Sequence, residues 1–422
     1  MRGMKNGVRA RGSQRGATLI LVAVGLGVFL GISALAIDLA MLYVTRNEAQ
    51  RTADAAALAG AKVFVTSGCT SAPGGCVAGG PQEAPARNQA ETIGAQNNVG
   101  GQAANIQDPD VTFDYSASPF DPRITVVVQR TKARSNAIPT FFVKIFGVTT
   151  ADIGAKATAE AYNPSGSSTG PTICASCLKP FMLGNCDSSP SHTTPANPNC
   201  PGQGYFIDPS TGAIEHPGPY PTGVVGQEWT IHVGGGQISP SQYEVVNVGC
   251  GQGNQVPCIA GCTTAVWACG NTLNTVQGAK VGQIRPAVNT LIHATGTGPG
   301  NGQDTITMNP DGSWTITGGT NNPNPNLVGK TITNSDSLVT LPIYDGHVVN
   351  PGIQQITIIG YMQVFIEYEN QQAQAGDIPI TVRILNVTGC GNRTGTCGNS
   401  SSTVQGGGES LIPVRLVRNP GS

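Results

Sequence analysis

A stretch of 21 residues without a charged side chain, residues 17–37, constrains this chain more than any other feature. At a rise of about 1.5 Å per residue, a helix of that length reaches about 31 Å, close to the hydrocarbon thickness of a bilayer. Five basic residues precede it: Arg2, Lys5, Arg9, Arg11 and Arg15. By the positive-inside rule, the pattern predicts a cytoplasmic tail over residues 1–15, a transmembrane helix over 16–37 and an outward-facing remainder.

Two other interpretations of the apolar stretch stay open. Residues 34–36 form an A-x-A pattern behind a basic and an apolar region, which is typical of a removable secretory signal, although the apolar run is longer than usual. Arg15-Gly16 before an apolar helix also resembles the cleavage site of type IV pilins. Those pilins carry a glutamate five residues after the glycine, whereas this chain has Leu21. The departure favours an uncleaved anchor.

Helical character is predicted to continue past the apolar stretch. Residues 38–66 contain no proline and a single glycine, Gly60, so the two segments form one long helix with a periplasmic extension over 38–66. Small residues recur along it at spacings of three and four: Ala49, Ala53, Ala56, Ala57, Gly60 and Ala61. They predict close packing against another element, although alanine is also simply the best helix former.

A second row of small residues lies within the apolar stretch itself. Ala23, Gly27 and Gly31 follow the small-xxx-small pattern that allows helices to approach closely in lipid. The row predicts self-association through the helix. Glycine is also common in membrane helices for other reasons, so the simpler interpretation stays beside it.

Composition points to β structure and loops beyond the long helix. Charged residues make up 11% and aromatic residues 5%, while the chain holds 57 glycines and 30 prolines. Five of the 23 basic residues lie in the predicted tail, which leaves the rest of the chain with an excess of its 24 acidic residues. No basic face predicts a nucleic-acid partner.

All twelve cysteines follow the apolar stretch and occur in close pairs. We predict local disulfides in an oxidising compartment, with these pairs: Cys69/Cys76, Cys174/Cys177, Cys186/Cys200, Cys250/Cys258, Cys262/Cys269 and Cys390/Cys397. Cys174-x-x-Cys177 as a redox dithiol is less favoured, because Pro180 follows where a helix would begin. A zinc site of Cys174, Cys177, Cys186 and Cys200 is also less favoured, because the second pair is not closely spaced.

Residues 67–162 are predicted to form a small α+β unit on the end of the long helix. The patterns predict a loop over 68–85, helices over 86–99 and 139–147, and strands over 111–115, 124–130 and 151–162. The 139–147 segment is assigned as a short amphipathic helix from its apolar spacing, with Gly147 as its stop.

Residues 163–422 are predicted to form a mainly-β, disulfide-stapled domain that begins with a linker at 163–171. The predicted strands span 229–233, 243–248, 305–308, 314–317, 338–344, 356–368, 378–387 and 411–417. Their number and spacing are typical of a β-sandwich. We expect a bulge in 356–368, an edge strand at 411–417 and one helix over 272–294, broken at Pro286.

These residues resemble a known family. Residues 15–38, Arg46, Gln50 and residues 54–61 closely resemble the N-terminal motif of TadG-like components of tight-adherence (Tad/Flp) pilus assembly. A looser likeness continues to residue 162. The resemblance assigns the family motif to Gly16, Asp38, Arg46, Asp54 and Gly60, and makes 67–162 a pilin-like unit. It implies a bacterial inner-membrane protein that helps to build or secure Flp pili with other pilus-assembly proteins, and it brings no catalytic residue or cofactor.

Motifs for chemistry are sparse. The five histidines lack the spacing of metal ligands, and Asp345-Gly346-His347 reads as a turn. Residues 187–191 fit the letters D-x-S-x-S of a metal-dependent adhesion site, yet they lie between Cys186 and a Pro/Asn-rich loop instead of between a strand and a helix. Hydrolase and phosphate-binding motifs are absent from the sequence. We therefore expect no enzyme activity, no cofactor and no metal site.

The overall prediction is an α+β protein anchored by one membrane pass, with a cytoplasmic N-terminus and a periplasmic bulk. Its predicted function is assembly or anchoring of Flp pili. The alternative is an exported surface adhesin whose disulfide-stapled β domain binds a ligand. A secreted hydrolase or redox protein is a third hypothesis.

Overall fold

The computed structural model describes most of the chain after the N-terminal tail. The described residues are 15–71, 75–116, 121–163, 173–232, 244–277, 281–309, 314–332, 334–347, 349, 352–370, 377–390, 397, 403–405, 412 and 414–417. Nearly all of the predicted cytoplasmic tail and of the 163–171 linker lies outside them.

One continuous helix, α1, dominates the N-terminal region. It runs over Arg15–Thr66, 52 residues or about 78 Å, because no proline interrupts it. This confirms the long N-terminal helix predicted from the sequence. Other α-helices among the described residues are α2 (Glu83–Ala95), α3 (Val256–Ala260) and α4 (Val281–Leu291). Short 3₁₀ turns cover Cys69–Ser71, Asp108–Asp110, Lys132–Arg134, Val143–Phe146 and Pro325–Leu327.

Seven strands are described between α1 and residue 163. They are β1 (Asn98–Val99), β2 (Gln102–Ala103), β3 (Val111–Asp114), β4 (Arg123–Arg130), β5 (Ile138–Pro139), β6 (Thr150–Ala151) and β7 (Ile153–Ala161).

Fourteen further strands are described after it. They are β8 (Cys174–Ser176), β9 (Leu183–Gly184), β10 (Glu228–His232), β11 (Val266–Ala268), β12 (Thr272–Asn274), β13 (Thr305–Met308), β14 (Trp314–Thr317), β15 (Thr331–Ile332), β16 (Leu338–Tyr344), β17 (Gln355–Thr357), β18 (Gly360–Glu369), β19 (Pro379–Gly389), β20 (Thr403–Gln405) and β21 (Val414–Leu416).

The N-terminal unit, from residue 38 to 162, is an antiparallel sheet packed on α1. Its strand order is β21-β7-β4-β3, so the late strand β21 forms one edge beside β7. Strand β4 alternates strictly, with Ile124, Val126 and Val128 buried against the small residues of the helix. Helix α2 packs on α1 as well. The predicted edge strand near the C-terminal end of the chain therefore exists, and it completes the sheet of the N-terminal unit.

The C-terminal region, residues 173–405, is built around a five-stranded sheet of order β10-β19-β18-β16-β9. Only the β9–β16 pair is parallel. One face of the sheet packs on α3 and α4 through Ile259, Ile284 and Val288. The other face buries residues such as Phe365 and Leu385. The central strands β16 and β18 are almost entirely buried, since both faces of the sheet are covered.

Several predicted elements in the C-terminal region are wrong. The described strands form one larger sheet and several sheets of two or three strands, instead of the two facing sheets of a sandwich. Residues 243–248 contribute isolated bridges at Val245 and Val246 instead of a strand. The predicted helix over 272–294 is wrong for residues 272–277, because Leu273 is buried in the strand pair β12–β17; the helix is described over Val281–Leu291. Pro286 lies inside α4 without ending it.

The expected bulge is present, with a further interruption. Residues 356–368 divide into β17 and β18 around residues 358 and 359. Register shifts between β18 and β19 occur at Gln363/Val364 and at Ile366/Tyr368. The bulges let the ten-residue strand bend with the sheet.

The disulfides differ in part from the predicted pairs. Three bonds join neighbours in sequence as predicted: Cys69–Cys76, Cys186–Cys200 and Cys250–Cys258. The pairs Cys174/Cys177, Cys262/Cys269 and Cys390/Cys397 are wrong. Instead the bonds are Cys174–Cys397, Cys177–Cys262 and Cys269–Cys390, with sequence separations of 223, 85 and 121.

The short strand β8 explains the difference in pairing. Cys174 opens β8 and Cys177 follows its end, so side-chain alternation directs the two sulfurs to different neighbours. Strand β8 lies between β11 and β20, which bring the partner cysteines near. All twelve cysteines are bonded, and such bonds fit an oxidising compartment such as the periplasm.

Candidate functional site

The candidate site lies where the apolar half of α1 ends, at Asp38. Its carboxylate accepts three backbone N–H groups from one short segment: those of Phe141 (3.1 Å), Phe142 (2.9 Å) and Val143 (2.7 Å). These hydrogen bonds, the Val143 bond foremost, hold the pKa of Asp38 below its ordinary value. Asp38 therefore holds against the helix a segment that lies more than a hundred residues later in the chain.

The segment that Asp38 binds, residues 141–143, lies at the tip of a two-stranded ribbon. Strands β5 and β6 form its base, with Ile138 opposite Ala151, and the 3₁₀ turn Val143–Phe146 forms its end. Gly147 closes the turn in the left-handed region at φ +86°, which favours glycine. The amphipathic helix predicted over 139–147 is therefore wrong. Pro139 belongs to a strand, and the apolar side chains of the turn face outward.

Beyond Asp38, the helix buries its small residues. Ala49, Ala53, Ala56, Ala57 and Ala61 are all at most 1% exposed. At Gly60 a side chain would meet the sheet: an ideal Cβ would lie 2.4 Å from Ile124 Cδ1 and 3.1 Å from the Ala86 carbonyl oxygen. The close contact between α1, the sheet and α2 thus requires glycine at this position.

The other motif residues lie on the same helix with smaller roles. Arg46 borders a surface depression together with Asp152. The Gln50 side chain donates to Asp54 Oδ1 at 2.8 Å and to the Lys156 carbonyl at 3.3 Å, which ties the helix to β7. Gly16 lies in the first turn of α1. Apart from Gly16, the motif residues therefore lie on the part of α1 that belongs to the N-terminal unit.

The apolar half of α1 has a different environment. Its large side chains from Leu19 to Ile37 are exposed, and an added Cβ at Gly27 or Gly31 would meet nothing within 4 Å. Among the described residues, α1 is the one helix long and apolar enough to cross a membrane. The helix thus has an unpartnered half and a packed half, and Asp38 is the first buried residue between them.

Most of this helix matches a known protein family. Residues 16–63 match the family model described as putative Flp pilus-assembly TadE/G-like. The chain carries an N-terminal Tad domain. No curated protein and no solved structure matches the chain. The resemblance predicted from the sequence is confirmed over the Tad domain, while its looser continuation to residue 162 lies outside the match.

Two further clusters were missed by reasoning from the sequence. In the first, ligand atoms of Asp187, His192 and His216 lie within 4.8 Å of one another. Asp187 belongs to the D-x-S-x-S string, yet its Oδ1 accepts the Ser189 N–H, and its Oδ2 lies 2.7 Å from His192 Nδ1. The other ring nitrogen of His192 lies 3.1 Å from the carbonyl of Pro221.

The geometry of this cluster is that of a hydrogen-bonded network. The rings of His192 and His216 stack with centroids 4.2 Å apart and planes 8° from parallel. A nitrogen lone pair of imidazole lies in the plane of its ring, so two stacked rings cannot both aim at one ion. Any shared metal would require one ring to turn away from this stack.

The second cluster lines a polar cavity of about 530 Å³ in the C-terminal region. Glu244 is half-buried there, and desolvation raises its pKa to about 8. The backbone N–H of His232 donates to Glu244 at 2.7 Å. Residues 233–243, which join these two, lie outside the described part of the chain. An isolated glutamate carries no sequence signal of such burial.

Proposed function

We propose that this protein is a non-catalytic component of Flp pilus assembly or anchoring, held in the inner membrane by residues 16–37. The observation that carries the proposal is the match of the Tad domain to a helix whose two halves have opposite environments. The domain model is described by its role in Flp pilus assembly, and it covers the unpartnered half and most of the packed half.

The two halves support an anchor. Apolar side chains from residue 19 to 37 have no protein partner among the described residues, and lipid would remove them from water. From Ala49 onward, the small residues of the helix instead pack in the core of the N-terminal unit, so lipid cannot contact them. This division supports a transmembrane segment that ends near Asp38, with residues 38–66 as its periplasmic extension.

Charge and cysteine distribution support the orientation. The basic residues of the N-terminal tail favour a cytoplasmic N-terminus. The six disulfides, all formed after Asp38, favour a periplasmic bulk, since cytoplasmic thiols are kept reduced. Gly27 and Gly31, open on the helix surface, support self-association or contact with another membrane helix.

Two measurements test this proposal. Fractionation is expected to recover the full-length chain in the inner membrane after carbonate extraction, with protease cutting it only from the periplasmic side. A shortened soluble form that begins at Ile37 would contradict the anchor and favour a cleaved signal.

The second measurement tests the pilus role. A strain without this protein is expected to lose pili, or to make unstable ones, in electron micrographs, and the wild-type chain is expected to restore them. Normal pili with lost surface binding would instead support the adhesin alternative.

A further inference from the structure

The tip of the β5–β6 ribbon exposes an unusual amount of apolar surface. Phe141, Ile145 and Phe146 are 62%, 82% and 81% exposed, and Phe142 and Val148 are exposed as well. We call residues 141–148 the apolar turn. Burying a side chain of this size is worth about 1.5–3 kcal/mol, so leaving several beside one another in water is costly. Isolated apolar residues are normal on surfaces, but a contiguous patch of this kind marks a contact surface.

The position of the apolar turn identifies what contacts it. Asp38, the first charged residue after the apolar half of α1, binds the turn through the N–H groups of residues 141–143. The turn therefore lies beside the helix at the height where its uncharged stretch ends. Ile37 and Leu39, which flank Asp38 on the helix, are also exposed. The turn and the helix therefore both expose apolar side chains at the level of Asp38.

The geometry points to the bilayer as the occupant: we propose that the apolar turn inserts Phe141, Ile145 and Phe146 into the periplasmic leaflet beside the transmembrane helix. This proposal rests on the proposed membrane anchor. It adds a second contact with lipid, away from the helix axis. A single helix leaves the N-terminal unit free to rotate and tilt, whereas two contacts at a distance from each other fix its orientation on the membrane.

The polar groups of the turn suit this location. Unpaired backbone groups are costly near hydrocarbon, and Asp38 satisfies three N–H groups where the turn meets the helix. The same three bonds satisfy the Asp38 carboxylate, so its charge does not need a full shell of water. Lys144, exposed between Phe142 and Ile145, is placed to extend its ammonium toward lipid phosphates. Phenylalanine is among the apolar side chains that interfacial segments bury at the boundary between headgroups and acyl chains.

Tryptophan fluorescence tests the insertion directly. The full-length chain, reconstituted in vesicles of phosphatidylcholine and phosphatidylglycerol, would carry Ile145→Trp or Phe146→Trp, and the emission of wild-type protein would be subtracted. Lipids brominated at shallow acyl positions quench only a nearby indole. We expect a loss of the added emission for both variants, and a smaller loss when the bromines lie deeper.

Val77→Trp is the matched control. Val77 is also an exposed apolar residue, at the far end of α1 beyond Thr66, so its indole should keep its emission in brominated lipid. Since Ile145, Phe146 and Val77 are exposed, the three substitutions leave the core intact.

Failure of the insertion is distinguishable from failure of the anchor. If the chain resists carbonate extraction but Ile145→Trp and Phe146→Trp are quenched no more than Val77→Trp, the insertion is overturned and the anchor stands. That result would assign the apolar turn to a protein contact. If carbonate releases the chain from the vesicles, the proposed anchor itself fails.

Discussion

Asp38 joins two parts of the chain that are 103 to 105 residues apart, through backbone groups alone. Because the partners are N–H groups of the main chain, the contact depends little on the side chains of the turn. Hydrogen bonds from these groups lower the folded-state pKa of Asp38 below the ordinary 3.8. Their stabilisation is therefore complete above about pH 4 and is lost as the pH falls through the lowered folded value.

We predict that Asp38→Asn loosens the apolar turn at neutral pH. The amide has one acceptor oxygen and no charge, so it cannot satisfy three donors. Hydrogen exchange of the full chain in micelles should be faster over residues 141–143. Asp114→Asn is the control, since Asp114 accepts the Ser116 N–H at an exposed site elsewhere. Unchanged exchange at 141–143 in Asp38→Asn would show that the ribbon holds the turn without this contact.

Gly60 gives a second prediction at the residue scale. A valine there would contact Ile124 and the Ala86 carbonyl at less than van der Waals distance. Overpacking of this kind should lower the free energy of unfolding by about 1–3 kcal/mol. Urea unfolding followed by circular dichroism would measure the loss. Gly253→Val, at an exposed glycine with open space around it, should leave the midpoint unchanged, and equal shifts in both variants would contradict the argument.

Lys179 provides a pH dependence. It is buried, its ammonium donates to the Gly261 carbonyl at 2.7 Å, and burial lowers its pKa to about 8 from 10.5. Between these two values the unfolded chain binds more protons than the folded one, so stability should rise with pH, by roughly 3 kcal/mol in total. Lys179→Met should remove this rise, measured by urea unfolding from pH 8 to 10. Lys156→Met, at an exposed site, should retain it.

At the scale of elements, the sequence predicts those helices and strands whose bounds depend on the local pattern of residues. Strands β13, β14 and β16 have the predicted bounds, because β-branched and aromatic runs between Gly, Asn and Pro loops leave few alternatives. The long helix follows from the absence of proline. The apolar spacing of residues 139–147 predicts a helix, yet periodicity does not reveal whether apolar side chains face the protein core or point outward.

Only the helix residues of the candidate site could be predicted from the sequence. Family resemblance identifies Asp38 and Gly60, but their partners at residues 141–143 and at Ile124 depend on how the ribbon and sheet fold back on α1. The disulfides show the same limit. Cys174 and Cys177 are close in sequence, whereas their partners, Cys397 and Cys262, are brought near only by the pairing of β8 with β20 and β11.

Strand β21 is held to β7 by an ionic contact as well as by backbone pairing. Glu160, buried on β7, binds Arg415 of β21 at 2.6 Å and Arg123 of β4 at 2.9 Å. We predict that Glu160→Gln frees β21, because hydrogen bonds to charged groups are worth about 1.5–3 kcal/mol. Hydrogen exchange should rise over residues 414–416. Lys156→Ala, an exposed substitution on the same strand, should not raise it.

At the scale of the whole molecule, long cross-links join distant parts of the C-terminal region. The Cys269–Cys390 bond spans 121 residues, and the Cys250–Cys258 bond in the same region spans eight. Chain-entropy arguments assign about 5 kcal/mol to the longer loop and about 2 kcal/mol to the shorter. The large sheet therefore depends on covalent bonds as well as on its apolar core.

We predict that removing both cysteines of the long cross-link destabilises the C-terminal region more than removing both of the short one. Urea unfolding followed by the fluorescence of Trp267, which packs in the same cluster as both bonds, would compare Cys269→Ser/Cys390→Ser with Cys250→Ser/Cys258→Ser. A larger shift for the short bond would contradict the entropic account.

The pairing of β21 with β7 sets an order of events during synthesis. A ribosome releases the N-terminal part of a chain first, so α1, β4 and β7 emerge long before residues 414–416. In that interval the edge of β7 has unpaired backbone N–H and C=O groups. A strand of another chain can form hydrogen bonds with them. The N-terminal sheet is therefore completed only after some 250 intervening residues have been made. Until then the nascent chain exposes a sheet edge that β21 covers in the mature protein.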